Sequence, residues 1–498
     1  MKVYKIVAFI FLIITALAFL CLFFPEDGIA IGSFRLRFPS LENVMSGSHN
    51  SETMDVDELL KKSELAQFDS VMNLHQDTIA FFVNALKYNA ARFYFPNDDY
   101  SYFDPLFQSM SHAQEEGSTV RIMHYGDSQI EVDRLSANIR AFFQSKFGGI
   151  GPGLLPLEQN IPSTAIYQSV SGNVLPYAAY GEIERRKNGN YGLMAKCFAI
   201  NGDVVFNATG ANNKYADSLV KQFSNVKLLL MNKGSSFSAT LKDRKGNYDS
   251  TITLKEGAGL RVIEWQLPKN STQIRLSLHG NADIYGIALD GAGGVAVDNI
   301  PLRGCSGTIF TRISDSLLAK SYQVSKVKLI ILQFGGNAMP GNTNEQAVAT
   351  YKKRVGEQIQ FLKEVYPEAK MLFIGPSDMS NRYRGEMQTY HYLPETVQAL
   401  KEVSLENGIA FWNLYEVMGG ENSMLTWVRS GLAGSDYVHF TPSGALKVGG
   451  VLTSSFQIMY DWYLMRQSMP AAQFEKLWKE VESNIVQISQ PQTINNSK

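Results

Sequence analysis

Apolar residues recur along the chain with changing spacing. Ile6 to Phe24 is apolar throughout except for Thr15. From Leu59 to Leu86 the repeat is helical, through Leu59, Leu60, Leu65, Phe68, Val71 and Met72. Phe93 to Tyr102 is aromatic-rich and interrupted by Pro96 and Asn97-Asp98-Asp99, which predicts a loop. Asp104 to Glu116 predicts a helix with Pro105 at its first position. Ser118 to Tyr125 has the pattern of a short strand. The helix after it carries Leu135, Ile139, Phe142, Phe143 and Phe147 on one face and ends at Gly148-Gly149.

Between residues 160 and 290 helical spacing gives way to short alternating runs separated by turn residues. Strands are expected at Leu193 to Ile200, Val226 to Met231, Phe237 to Leu241, Ser250 to Leu254, Leu260 to Leu267, Gln273 to Leu278 and Ile284 to Leu289. Lys245-Gly246-Asn247 and His279-Gly280-Asn281 are read as turns between them. This predicts an all-β sandwich inserted in an α/β domain after its first strand-helix unit. The α/β pattern then resumes. Strands are expected at Gly294 to Ile300, Val327 to Phe334, Met371 to Ile374 and Ile409 to Trp412. Helices are expected at Thr308 to Lys320, Gln346 to Tyr366, Glu395 to Asn407 and Pro442 to Tyr463. With Ser118 to Tyr125 that makes five strands, a doubly wound, flavodoxin-like parallel sheet. A short amphipathic helix with Phe474, Leu477, Trp478 and Val481, and a polar tail, close the chain.

The expected organisation is an anchor (1–25), a linker with amino-terminal helices (26–117), and the α/β domain in two parts (118–160 and 291–465). The β insert takes 161–290, and a helix with its tail takes 466–498. Lys2 and Lys5 before the apolar run favour a cytoplasmic amino terminus, with everything after Pro25 outside the cytoplasm. A cleaved signal peptide is the alternative. However, Ala30-Ile31-Gly32 is a poor cleavage site, and Leu20 fits badly before a lipidated Cys21.

The chain has 498 residues, 45% of them hydrophobic, enough for a large core. A net charge of −1 implies no global polyanion-binding surface, so no nucleic-acid partner is expected, and leaves open only a local basic patch. Three cysteines do not make a disulfide scaffold; Cys197 and Cys305 either pair or stay as buried thiols. No His/Cys cluster has metal-ligand spacing, and no cofactor is called for.

The candidate chemistry lies in loops at the strands' carboxyl ends. Gly126-Asp127-Ser128-Gln129 follows the first strand, and its Ser would sit at a helix amino terminus. Gly335-Gly336-Asn337 follows another strand, and Asp436-Tyr437-Val438-His439 precedes the last helix. Ser128 is the expected nucleophile, His439 its base and Asp436 the carboxylate orienting that base. The side-chain amide of Asn337 and the N–H groups of Ser128 and Gly304 would receive a developing oxyanion. Asp127 would brace the nucleophile turn. Each piece alone is more often a turn, a strand break or a capped helix start; their joint order carries the argument. His124 is read as packing behind the site. His391 is read as surface loop, and Asp133 and Arg134 as a solvated face of the first helix turns. Tyr177, Tyr180 and Tyr191 could stack on sugar rings, with core packing the commoner fate.

These motifs resemble the SGNH (GDSL-like) hydrolase superfamily. Its first block matches Gly126-Asp127-Ser128-Gln129. Its second matches Asn299-Ile300-Pro301-Leu302-Arg303-Gly304. Its third matches Gly335-Gly336-Asn337, and its fifth Asp436-Tyr437-Val438-His439. Ala338 stands where the third block usually has Asp, so Asn337 must be braced differently. Within the superfamily, an exported enzyme with a β module between the first and second blocks resembles bacterial peptidoglycan O-acetylesterases, whose insert looks carbohydrate-binding. Their first block often has His where this chain has Gln129. The resemblance implies a serine esterase, held at the cell envelope with its catalytic domain outside the cytoplasm (the periplasm of a Gram-negative cell). It would remove O-acetyl groups from a glycan such as peptidoglycan. The alternatives are an O-acetyltransferase acting on a polysaccharide hydroxyl and a non-catalytic glycan-binding protein.

Overall fold

A computed structural model describes Thr15 and residues 29–31, 34–36, 55–63, 76–159, 161, 163–213, 217–243, 246 and 248–489. The expected anchor at Ile6 to Phe24, most of the linker, residues 64–75 of the first helical stretch and the polar tail lie outside the described residues. Among the described residues, no helix is long and apolar enough to cross a membrane. The chain divides into residues 1–55 and 56–498. In the first unit, β1 (Ile29–Ile31) and β2 (Phe34–Leu36) pair as an antiparallel hairpin.

The second unit opens with short helices α1 (Val56–Leu60) and α2 (Gln76–Val83), strand β3 (Phe93–Tyr94) and helix α3 (Asp104–Ala113). Strand β4 (Thr119–Gly126), helix α4 (Ser136–Phe147) and strand β5 (Gly153–Leu155) follow. The strands β6 (Ile166–Ala178), β7 (Lys196–Gly210), β8 (Phe223–Gly234), β9 (Phe237–Asp243), β10 (Asp249–Leu254), β11 (Gly257–Ser271) and β12 (Gln273–Asp290) come in succession. The α/β succession resumes with β13 (Gly294–Pro301), α5 (Asp315–Ser325), β14 (Val327–Gln333), α6 (Glu345–Val365) and β15 (Lys370–Ile374). A small hairpin, β16 (Ser380–Tyr383) and β17 (Glu386–Thr389), leads to α7 (Leu393–Glu406) and β18 (Ala410–Trp412). The helices α8 (Leu414–Val417), α9 (Ser423–Arg429), α10 (Pro442–Gln467) and α11 (Ala471–Ser489) end the described chain.

The central sheet has the order β13-β4-β14-β15-β18-β3. Its five expected strands are parallel, and alternation sends their residues to opposite faces. Val120, Ile122, Leu329 and Ile331 face a core built with α3, α4 and α10. Met123, Tyr125, Ile330 and Leu332 face a second core with α5, α6 and α7. The sixth strand is a correction. Phe93–Tyr94, expected as loop, pairs antiparallel with Phe411 and Trp412 at the sheet edge. Two residues give no readable period, and the flanking Pro96 and Asn-Asp turn mask them.

The inserted region is also corrected. Its strands form one hydrogen-bonded eight-stranded sheet pivoting on β12, not two separate sheets. The Gln273 and Ile284 runs are one strand of 18 residues. His279-Gly280-Asn281 stays in register with Asp203, Gly202 and Asn201 and makes no turn. Gly280 is there for space and conformation: φ is +136°, and a Cβ would lie 3.0 Å from the Ser236 carbonyl oxygen. The edge strand β6 was not expected; Gly172 at its register shift and Pro176 blur its alternation. One face of the sheet packs on itself around Phe198, Phe206, Trp265 and Leu276. From the other face, Leu154, Met194, Cys197, Leu229 and Tyr285 join Met123 and Tyr125 of the central sheet in one core. Cys197 and Cys305 are both buried free thiols.

Candidate active site

The carboxyl ends of β4 and β14 and the loop before α10 meet at one cavity of about 230 Å³, lined by Ser128, Asn337, Met379, Tyr390 and His439 among others. Gly126 ends β4 under tight constraint: a Cβ there would lie 2.9 Å from Ile130 and 3.1 Å from the Gln333 carbonyl oxygen. The residues after it do not enter a helix at once, which corrects the sequence reading. Ser128–Asp133 forms irregular 3-10 turns, with Val132 at φ +62° and Asp133 at φ +59°, and α4 starts only at Ser136. The Ser128 turn is therefore set by side-chain bonds, not by the α4 dipole. Asp127 caps it by accepting the Gln129 N–H at 3.0 Å. Arg134 donates to the Ser128 carbonyl oxygen at 2.7 Å.

Ser128 Oγ lies 2.7 Å from His439 Nε2, and His439 Nδ1 lies 2.7 Å from Asp436 Oδ2. The other Asp436 oxygen accepts the N–H groups of Val438 and His439, each at 3.0 Å. Burial works to raise the Asp436 pKa, but the His439 ring and these N–H groups outweigh it and hold it below the usual carboxylate value. The ring thus has an anionic anchor on one nitrogen and a hydroxyl on the other.

Asn337 sits across the cavity. Its amide donates to the Cys305 carbonyl oxygen at 3.3 Å and hydrogen-bonds the Asp127 carboxylate. These contacts replace the brace that an acidic residue at Ala338 would give. Burial pushes the Asp127 carboxyl up to about 6, against the opposing pull of the Gln129 N–H, His439 and Asn337. Gly304 is exposed on a turn closed by the Cys305 N–H on the Leu302 carbonyl oxygen. Its neighbour Arg303 pairs with Glu131 through two bonds of 2.6 Å, tying that turn to the nucleophile segment.

Sequence reasoning missed the side chain that ties the nucleophile turn to the histidine loop. Gln129 Nε2 donates to the Val438 carbonyl oxygen at 2.5 Å and to Ser377 Oγ at 3.0 Å, and its Oε1 accepts the Phe440 N–H at 3.5 Å. It holds the residues on both sides of His439. Its place next to Ser128 was the only available signal. Asp133 is not on a solvated helix face: it is buried and paired with Arg140 at 3.0 Å. His124 is buried between Ser136 Oγ at 2.8 Å and Gln333 Oε1 at 3.1 Å, and burial lowers its pKa to about 4, keeping it neutral. His391 is exposed against Tyr392 and takes no part in lining the cavity. Tyr191 is core, and Tyr177 lies under the Arg186 guanidinium. Among the described residues, no group of three His, Cys, Asp or Glu could hold a metal ion.

Residues 271–446 match the model of the GDSL-like lipase/acylhydrolase family. The match takes in Gly304, Asn337, Asp436 and His439 and begins within the 161–290 region; Ser128 lies before it. No curated protein sequence matches the chain. Among solved structures, a peptidoglycan O-acetylesterase is 21% identical with a TM-score of 0.57, covering 72% of this chain and 95% of that one. A family two carbohydrate esterase from Cellvibrio japonicus is 11% identical with a TM-score of 0.24, covering 60% and 99%. The first shares the fold; the second is too distant to add to the argument. With the family match over residues 271–446 and Ser128 bonded to His439 at the cavity, this chain is a carboxylic ester hydrolase that resembles SGNH (GDSL-like) enzymes and is similar in fold to a peptidoglycan O-acetylesterase.

Proposed function

We propose that this esterase removes O-acetyl groups from a cell-envelope glycan, with peptidoglycan as the leading substrate. The 2.7 Å contact of Ser128 Oγ with His439 Nε2 carries the reading. His439 takes the Ser128 proton as Oγ attacks the acetyl carbonyl carbon. The oxyanion is received by the Ser128 and Gly304 N–H groups and the Asn337 amide, each worth about 3–4 kcal/mol in the transition state. The glycan oxygen leaves with the proton from His439. Water then attacks the acetyl-serine, giving its proton to His439 and releasing acetate and free Ser128. A cavity of about 230 Å³ suits a small acyl group. The fold likeness to a peptidoglycan O-acetylesterase supports the glycan, and Ile6 to Phe24 supports an anchor with the site outside the cytoplasm.

The test is acetate release from O-acetylated peptidoglycan by the full chain beside its Ser128→Ala variant. Release by the parent alone supports the proposal. No release from peptidoglycan, with Ser128-dependent cleavage of a small acetate ester, rejects this glycan and keeps the esterase. Acetate transfer to an added polysaccharide, with little free acetate, would make it a transferase.

A further inference from the structure

We propose that a second cavity, at the seam between the inserted sheet and the Ser128–Asp133 segment, binds a carboxylate-bearing sugar of the glycan, with Lys196 as its cation. This rests on the function proposed above and names what else that substrate must carry. The cavity holds about 320 Å³. Its walls include Lys196, Tyr180, Glu158, Leu154, Ile300 and Val132.

Lys196 is the observation that asks for a ligand. It opens β7 and is only 8% exposed. Among the described residues its ammonium has no hydrogen bond or ion pair, only the face of Phe198 at 4.7 Å. Most of its side chain is buried, and its ammonium, unpaired by the protein, is left to face the cavity. The other cations of the cavity are already matched: Arg140 by Asp133, and Arg303 by Glu131. Glu158 is within electrostatic reach but not in contact, and burial lowers the Lys196 pKa despite it. A carboxylate entering here would form a charge-assisted bond with it, the strongest partner for such a group. Tyr180, Leu154 and Ile300 offer an apolar wall for the face of a sugar ring.

The position fits a single bound strand. Val132 forms part of this cavity and Ser128 part of the catalytic one. Four residues separate their Cα atoms by at most ~14 Å. A short oligosaccharide lying across both cavities would present its acetyl group to Ser128 and its carboxylate to Lys196. Such remote binding is what a small acyl group needs, because acetate itself offers little to hold.

The probes are O-acetylated peptidoglycan strands stripped of stem peptides, which leaves the lactyl carboxylates free, the same strands with carboxyls reduced to alcohols, and 4-nitrophenyl acetate. The full chain should cleave the carboxylate strands with a kcat/KM at least tenfold above the reduced ones. Lys196→Met should lose that advantage, largely in KM, and keep its rate on the reduced strands and on 4-nitrophenyl acetate. Lys196→Arg should recover part of it. Equal kcat/KM for both strands in the parent, or an equal loss on 4-nitrophenyl acetate in Lys196→Met, overturns the subsite. If the parent cleaves 4-nitrophenyl acetate but neither strand, the substrate proposal has failed by itself. The subsite is then judged by calorimetric binding of acetate-free carboxylate strands to Ser128→Ala. Binding at least tenfold weaker in Ser128→Ala/Lys196→Met supports it, and equal or absent binding overturns it.

Discussion

Replacing Asp436 by Asn separates orientation of the histidine from support of its loop. Asp436 does both: Oδ1 accepts the Val438 and His439 N–H groups, and Oδ2 meets His439 Nδ1 at 2.7 Å. In Asp436→Asn the side-chain oxygen must keep facing the two N–H donors, because the reversed amide would point N–H at N–H. The new NH2 then donates to Nδ1. That leaves the ring proton on Nε2, aimed at Ser128 Oγ, so His439 cannot take the serine proton. In Ser-His-Asp enzymes this tautomer error lowers kcat about 10⁴-fold, roughly 5 kcal/mol of barrier. Stability should change by less than about 1 kcal/mol, because the Asp436 side chain is half exposed. Initial rates on a small acetate ester, with urea unfolding of both proteins, measure the two effects. An Asn variant that folds normally and keeps more than a tenth of the parental kcat would refute the orienting role.

Asn337→Ala should lower kcat by about 10²–10³ with KM little changed; a loss under tenfold would remove Asn337 from the oxyanion site. Asp127 and His124 titrate with opposite effects on stability. Between pH 4 and 6 the folded Asp127 keeps a proton that the unfolded chain releases, so rising pH destabilises by about 3 kcal/mol; over much the same window unfolded His124 takes a proton the folded ring refuses, so rising pH stabilises by about 3 kcal/mol. Asp127→Asn should therefore lose about 3 kcal/mol more than the parent on acidification from pH 6.5 to 4, and parallel urea-unfolding curves across that range would reject the assignment. Val132, at φ +62°, holds a conformation that costs a β-branched residue about 1–2 kcal/mol; Val132→Asn should raise the unfolding free energy by roughly 0.5–1 kcal/mol, and a net loss would mean its packing outweighs the strain. Arg121→Met should cost about 3–5 kcal/mol, since it strands the buried carboxylates of Asp290 and Asp298; a urea midpoint near the parental value would show that they find other partners.

The parallel strands were legible because each is an apolar run buried on both faces, and the candidate triad because its members fall in loops directly after or before such elements. Short or irregular pieces were not. Phe93–Tyr94 is too brief for a period. The Thr308 to Lys320 pattern resolves into a 3-10 turn at Phe310–Arg312 and a helix from Asp315, a boundary that long-range packing sets. The turns after Ser128 depend on positive φ at Val132 and Asp133, which no residue preference announces. Gln129 illustrates the remaining limit. Beside Ser128 in the sequence, it acts on Val438 and Phe440 some three hundred residues away, a contact that exists only once the sheet has formed.

The insert is where sequence and structure diverge most in meaning. Alternating runs predict a separate β module, a second grip on a glycan. Instead Arg121 of β4 bonds Asp290 at the end of β12 and Asp298 of β13, and Asp298 also accepts the Leu154 N–H of β5 at 2.8 Å. Tyr125, three residues before the nucleophile, donates its hydroxyl to the Leu193 carbonyl oxygen of the inserted region and shares a core with Tyr285. Two sheets joined by a buried ion triad and a common core do not drift apart at low cost. The insert therefore acts as a fixed wall beside the Ser128 segment rather than as a tethered arm. Any grip it has on substrate is exercised at a set distance from the reacting bond, which favours positioning of the scissile ester.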